Sequence, residues 1–364
     1  MGRGTKTKKI VLNESGFFLT RQKGCLVVKN IRTKKNVKKY PILERRLGEI
    51  QLASGNLVST GVLVTACFNR IPVIVKTALG SPVGILISID DMSHVETRCY
   101  QYEVIKHLKA LNIAKEILLA KIKGSNEVLK KHGLRRIDFS VMEKVNEIYL
   151  WLLSEEELDK YIDYGVFPLD ALDKLTRKYR GIEGRVANQY FRQIFSLFPE
   201  RFRPKRRKGF KAYDGINNTF SLAYRILFNK VMVALIQAKL EPYLGFYHTT
   251  KFGAESLVYD FMEIYRYLVD DFLISYCTKL DTKDFELKTD AVGRKKGKRV
   301  FLNREKNGEF LEKLERYFQS YVSIRRVRVG KRQRLENLIG EEALQLARFL
   351  RCEKKSWVPR IVAL

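Results

Sequence analysis

The chain has 364 residues, 45% of them hydrophobic, with 69 Lys and Arg against 40 Asp and Glu and a formal net charge of +29. That length favours two cores over one, and that apolar content excludes wholesale disorder. The charge excludes a neutral surface and points to a polyanionic partner, nucleic acid before an anionic membrane.

Cys25, Cys67, Cys99, Cys277 and Cys352 are odd in number and show no CxxC spacing. They argue against a disulfide framework or a zinc ribbon and fit a reducing cytoplasm. The basic start MGRGTKTKK is not followed by a proper apolar h-region, so no signal peptide is expected. No continuous 18-residue apolar run is read, and no transmembrane helix is expected.

Residues 9 to about 90 read as β-rich. KKIVL, GFFLTR, GCLVVKN, GEIQLAS, IPVIVKT and VGILIS are short apolar or alternating runs between Gly-, Asn- and Ser-containing turns. Ser59 to Phe68 has helical apolar spacing behind a Ser/Thr cap. This part carries no catalytic constellation, and a structural or dimerising role is its plain reading. The polar stretch DDMSHVETR marks a linker. From Tyr100 on, long helical patterns dominate. The expected fold is α+β in two domains: a β-rich, β-sandwich-like domain over 1–90, a linker over 91–98 and a larger all-α domain over 99–364.

In the helix expected over Asp170–Phe198, Leu172, Leu175, Tyr179, Ile182 and Val186 form the apolar stripe, with Glu183 at its edge. Gly181 and Gly184 flank Glu183, and such small neighbours let a bulky partner approach the carboxylate. The run RFRPKRRKGFK, residues 201–211, has seven Lys or Arg in eleven positions and reads as a loop contacting phosphate, or else as a solvated charge run. Asp214 and Asn217–Asn218 then cap a strongly apolar helix that leads to the Pro242–Gly245 turn and His248. On the next helix Asp260 and Glu263 are three apart and share a face, while Val258, Phe261, Tyr265, Leu268 and Phe272 supply burial. Residues 293–299 and 323–334 are further basic patches, and the tail KKSWVPRIVAL reads as short and mobile.

An imidazole and carboxylates gathered from three elements suit one hard metal ion. Each member also has an ordinary reading. His248 alone is a hydrogen-bonded loop histidine, Glu183 an acid in an ion pair, and Asp260 with Glu263 a polar helix face near Arg266.

Taken in order, RGIEGRVANQYF, DGINNTFSLAYRIL, LGFYH and SLVYDFMEIYR resemble the CRISPR-associated protein one family, the integrase of the CRISPR adaptation module. GEIQLASGNLVSTGVLVTACFNRIPVIVKT resembles the family's N-terminal pattern, so the likeness runs from about residue 9 to about residue 320. The resemblance implies an N-terminal β domain that builds a homodimer and a helical domain that carries a metal. It implies divalent-metal-dependent cleavage and strand transfer on double-stranded DNA, alongside a small ferredoxin-like partner, Cas two. Matched residue by residue, Glu183, His248 and Glu263 fall on the metal ligands and Asp260 on the nearby acidic position.

A Glu/His/Glu set favours Mg2+ or Mn2+ over Zn2+. Asp260 is left to bind the metal through water, to orient His248 or to assist proton transfer. Phosphate contacts are expected from Arg180, Arg185, Lys205, Arg206, Arg207, Lys208, Lys211 and Arg266, although Arg180, Arg185 and Arg266 serve equally well as structural ion pairs. Two other classes compete with the enzyme: a non-catalytic basic scaffold for DNA or RNA, and a peripheral membrane protein, for which no amphipathic or lipidation pattern speaks.

Overall fold

The structure is a computed structural model, and it describes residues 8–42, 47–78, 80–88, 93–154, 169–209, 212–248, 253–292, 295–323 and 332–364. The chain divides into two compact units, Met1–Glu96 and Thr97–Leu364. The stretch expected as a linker is helical from Ser93, where α2 (Ser93–Val104) begins.

The first unit holds two four-stranded sheets. One orders β1 (Lys8–Leu12), β5 (Leu47–Ala53), β7 (Val73–Lys76) and β8 (Pro82–Leu86), parallel until the antiparallel β7–β8 pair. The other orders β4 (Asn36–Pro41), β3 (Cys25–Asn30), β2 (Phe17–Gln22) and β6 (Leu57–Val58), with only β2–β6 parallel. Ile10, Ile50 and Val73 from the first sheet share one core with Leu19, Leu26 and Val28 from the second. Val62 and Ala66 of α1 (Thr60–Phe68) complete it. β4 reads NVKKYP and is mostly exposed, which suits an edge strand blunted by lysines and explains its faint sequence signal.

The second unit is a helical bundle. Its main helices are α3 (Leu108–Lys131), α4 (Ser140–Leu152), α5 (Leu169–Ser196), α6 (Gly215–Gln237), α7 (Ser256–Cys277), α8 (Arg304–Gln319) and α9 (Leu335–Leu350). α7 packs against α3 and α6, α3 also meets α5, and α9 covers α6. A Cβ at Gly124 would stand 2.5 Å from the Tyr267 ring, so this glycine lets α3 and α7 approach closely. By length and composition α6 is apolar enough to cross a membrane. Here Phe220, Leu227, Val231 and Leu235 spend that character on the bundle core. Asp214 caps α6 as its sequence suggests, accepting the Asn217 backbone N–H at 2.7 Å.

Two features depart from the sequence reading. The unit is not all-α: β9 (Phe285–Val292) and β10 (Lys295–Leu302) form an antiparallel hairpin, and β11 (Tyr321–Ser323) pairs β12 (Arg332–Arg334). The tail expected to be mobile is tied down. Trp357 is buried and donates Nε1–H to Glu342 at 2.8 Å. Val362 exchanges two hydrogen bonds with the Tyr267 hydroxyl, at 2.7 and 3.1 Å.

Candidate active site

α7 is buried on nearly every side, and its acids lie among apolar residues: Asp260 is 0% and Glu263 2% exposed. A buried carboxylate is costly unless it is paired or hydrogen-bonded. Each acid resolves this differently, and the difference separates their roles.

Asp260 organises the loop before it. Its Oδ2 accepts the backbone N–H of Phe246 at 2.6 Å and of Tyr247 at 2.9 Å. Its Oδ1 accepts the His248 N–H at 2.8 Å and faces His248 Nδ1 at 2.7 Å. Both oxygens are committed, so Asp260 orients the histidine. Gly245 makes this possible, because a Cβ there would stand 2.8 Å from the Ser256 backbone and 2.9 Å from Asp260 Oδ2. Burial alone lowers the affinity of His248 for its proton; the hydrogen bond and charge of Asp260, with Glu263, outweigh it and raise the pKa. Residues 249–252 lie outside the described residues.

Glu263 is paired through ions. Arg266, one turn on, holds Oε1 at 2.9 Å. Oε2 is buried and faces the Lys121 ammonium, whose Nζ lies 2.7 Å away. Burial alone raises its pKa; Arg266 and Lys121 reverse this and hold it at about 2.

Glu183 reaches the same place from α5, whose buried stripe includes Leu172, Tyr179, Ile182 and Val186. It pairs with Lys121 through Oε1, and the Tyr247 hydroxyl donates to Oε2 at 3.4 Å. Among the described residues nothing lies within 4 Å of a Cβ built at Gly181 or Gly184. The carboxylates of Glu183 and Glu263 therefore converge on one cation, the ammonium of Lys121.

Lys121 and Tyr247 escaped the sequence reading. Lys121 sits on α3, one lysine among several there, and only the fold brings it to the acids. Tyr247 shows no signal beyond its place beside His248.

The basic positions separate as well. Lys205 and Arg206 are exposed. Arg207 turns inward, donating to Asn217 Oδ1 at 3.0 Å and Ser221 Oγ at 3.3 Å and lying 5.2 Å from the centre of the Tyr224 ring. Asn217 also grips the Lys208 N–H at 2.9 Å and the Arg206 carbonyl at 3.0 Å, so this part of the run is pinned to the start of α6. Lys208 lies 5.5 Å over Tyr213, and Lys211 falls outside the described residues. Arg180 acts electrostatically on Tyr247, and Arg266 is spent on Glu263. Arg185 lines a cleft of about 440 Å³ with Arg135, Asn188, Gln189, Arg192 and Gln193.

Further buried acids, Asp270 and Asp271, lie along α7. Asp270 accepts hydrogen bonds from Tyr190 at 2.9 Å and Tyr224 at 2.5 Å. Burial pushes its pKa up to about 6 against the pull of those hydroxyls, Arg266 and Arg207.

Two carboxylates and an imidazole are the donors a hard divalent ion takes, and the carboxylates of Glu183 and Glu263 already meet on a cation. In donor chemistry the residues fit such an ion. Among the described residues, no three His, Cys, Asp or Glu groups already close around a common point.

The family model for CRISPR associated protein Cas1 matches residues 10–316. The chain belongs to the Cas1 family. The CRISPR-associated endonuclease Cas1 of Korarchaeum cryptofilum (strain OPF8) is 22% identical over 362 residues, 98% of each chain. Among solved structures, a casposase bound to integration product superposes with a TM-score of 0.68 at 18% identity, covering 96% of this chain and 97% of that one. A partial Cas6-RT-Cas1–Cas2 complex contains a chain that aligns with a TM-score of 0.68 at 20% identity, covering 97% and 98%.

Proposed function

We infer that this Cas1-family chain is an integrase and endonuclease of CRISPR adaptation, inserting short DNA duplexes into the CRISPR array. The observation that carries the reading to these residues is the meeting of Glu183 and Glu263 on one cation, beside a His248 fixed by Asp260.

In this reading Glu183, Glu263 and His248 hold Mg2+ or Mn2+. When bound, such an ion supplies Lewis acidity to the phosphodiester and to the attacking hydroxyl. The chain's own groups do the rest. Asp260 binds His248 through Nδ1 and so reserves Nε2 as the ligand nitrogen. Arg266 holds Glu263 by Oε1 and leaves Oε2 for use. Lys205 and Arg206, exposed on the pinned basic loop, bind backbone phosphates of double-stranded DNA. The nucleophile is a DNA 3′-hydroxyl in strand transfer and water in cleavage.

The working assembly in this reading is a cytoplasmic homodimer with a small Cas2-type partner. One structurally similar chain comes from a solved partial Cas6-RT-Cas1–Cas2 complex. The first unit supports self-association, because Val83, Ile85 and Leu86 on edge strand β8 are exposed apolar residues.

The test is strand transfer of a labelled short duplex into a repeat-bearing plasmid, with Mg2+, Mn2+ or EDTA and the partner supplied. Wild type is expected to form a metal-dependent joined product that Glu263→Ala does not. Joined product from both proteins places the chemistry elsewhere. DNA binding without product from either favours the scaffold reading.

A further inference from the structure

We propose that Lys121 is a built-in counter-cation of the Glu183–Glu263 pair, and that it must leave the pair before a divalent ion can enter. This role rests on the reading of Glu183 and Glu263 as metal ligands.

Three helices deliver the three groups: Lys121 from α3, Glu183 from α5 and Glu263 from α7. The ammonium pairs with Glu183 Oε1 and stands 2.7 Å from Glu263 Oε2. The side chains of Lys121, Glu183 and Glu263 are only 13%, 22% and 2% exposed, so water screens the pair poorly. Without a cation, two shielded carboxylates this close repel each other. Lys121 removes that repulsion and ties three helices together.

The same contact obstructs metal binding. Lys121 and Arg266 already balance the charges of Glu183 and Glu263. A dication entering a balanced cluster gains little attraction, whereas one that replaces Lys121 finds an uncompensated negative charge. Ammonium and ion also claim the same oxygen, Glu263 Oε2. The two cations therefore exclude each other.

Of the two basic residues, Lys121 is the one able to withdraw. Arg266 sits three residues from Glu263 on the same helix, and its guanidinium lies 5.1 Å from the centre of the Tyr224 ring. Lys121 carries a compact charge on a flexible four-carbon stem and reaches the acids from a different helix.

The experiment is calorimetric titration of Mn2+ into wild type, Lys121→Met, Lys121→Arg and Glu263→Ala, with thermal melts in EDTA and in Mn2+. Lys121→Met is expected to bind Mn2+ about tenfold tighter or more, because the competitor is gone. It is expected to melt below wild type in EDTA and to show the larger rise in Tm with Mn2+. Lys121→Arg keeps a cation and is expected to bind no tighter than wild type. Equal or weaker binding by Lys121→Met, with binding lost in Glu263→Ala, overturns the counter-cation role and leaves the ligands standing. Undiminished binding in Glu263→Ala, or no binding by any of the four proteins, removes the ligand assignment and this role with it. A second measurement uses wild type alone, and so holds even where Lys121→Met does not fold. Acetylation of Lys121 by an N-hydroxysuccinimide ester, read by peptide mass spectrometry, is expected to be faster in Mn2+ than in EDTA. An equal or slower rate overturns the proposal.

Discussion

Asp260 holds His248 twice, accepting its backbone N–H at 2.8 Å and facing its Nδ1 at 2.7 Å with the same oxygen. One carboxylate thus sets both the path of the loop and the orientation of the ring. Asp260→Asn keeps an oxygen for the backbone but loses the charge that raises the His248 pKa. The His248 titration midpoint, followed by NMR, is expected to fall, and strand transfer with it. Asp260→Ala strands three backbone donors among apolar side chains and is expected to cost about 3 kcal/mol or more in urea denaturation. An unmoved midpoint in Asp260→Asn would show that the ring does not sense this carboxylate.

Asp270 gives a pH dependence of known sign. Its folded pKa of about 6 stands above the ordinary 3.8, so between about pH 4 and pH 6 the folded chain binds the extra proton. Its contribution to stability therefore falls as pH rises through that window. The difference in unfolding free energy between wild type and Asp270→Asn is expected to change by of order 2–3 kcal/mol from pH 4 to pH 7. A difference that stays flat with pH would mean that Asp270 is not strained by its burial.

The basic loop is expected to split into two kinds of arginine and lysine. Lys205→Ala and Arg206→Ala remove exposed charges, so each is expected to weaken DNA binding and lower the salt slope of log K by about one. Arg207→Ala removes the anchor to Asn217 and Ser221 and is expected to lower Tm. Binding isotherms at several salt concentrations, set beside melting curves, separate the two kinds. A lower Tm in Arg206→Ala, with its salt slope unchanged, would reverse the assignment.

Trp357 is expected to be worth far more than its place in a charged tail suggests. It is buried, stacks on Phe261 with centroids 6.4 Å apart and satisfies Glu342. Trp357→Ala is expected to cost about 3–5 kcal/mol in chemical denaturation. A loss below about 1 kcal/mol would return the tail to the mobile segment that its sequence suggests.

Much of the second unit is legible because periodicity marks long buried helices. The apolar stripe of α5, the Asp214 cap of α6 and the placing of Asp260 beside Glu263 on α7 all follow from local spacing. The resemblance then picks out Glu183 and His248. Short or polar strands fade for a physical reason: β6 has two residues, β4 is an exposed lysine-rich edge, and the β9–β10 hairpin reads as a basic patch. Lys121 is invisible for another reason. It meets Glu183 across 62 residues of sequence, and a lysine destined for a buried and a half-buried acid looks the same as one destined for water. The inward turn of Arg207 was hidden likewise, because a charge run does not say which of its members has a partner.

The clasp between Tyr267 and Val362 joins positions 95 residues apart. At ribosomal rates of about 5–20 residues per second, that stretch takes roughly 5 to 20 seconds to make. During synthesis the helix bearing Asp260 and Glu263 therefore waits without its cover, and Phe261 waits for Trp357. That helix is therefore among the last parts of the chain to be braced.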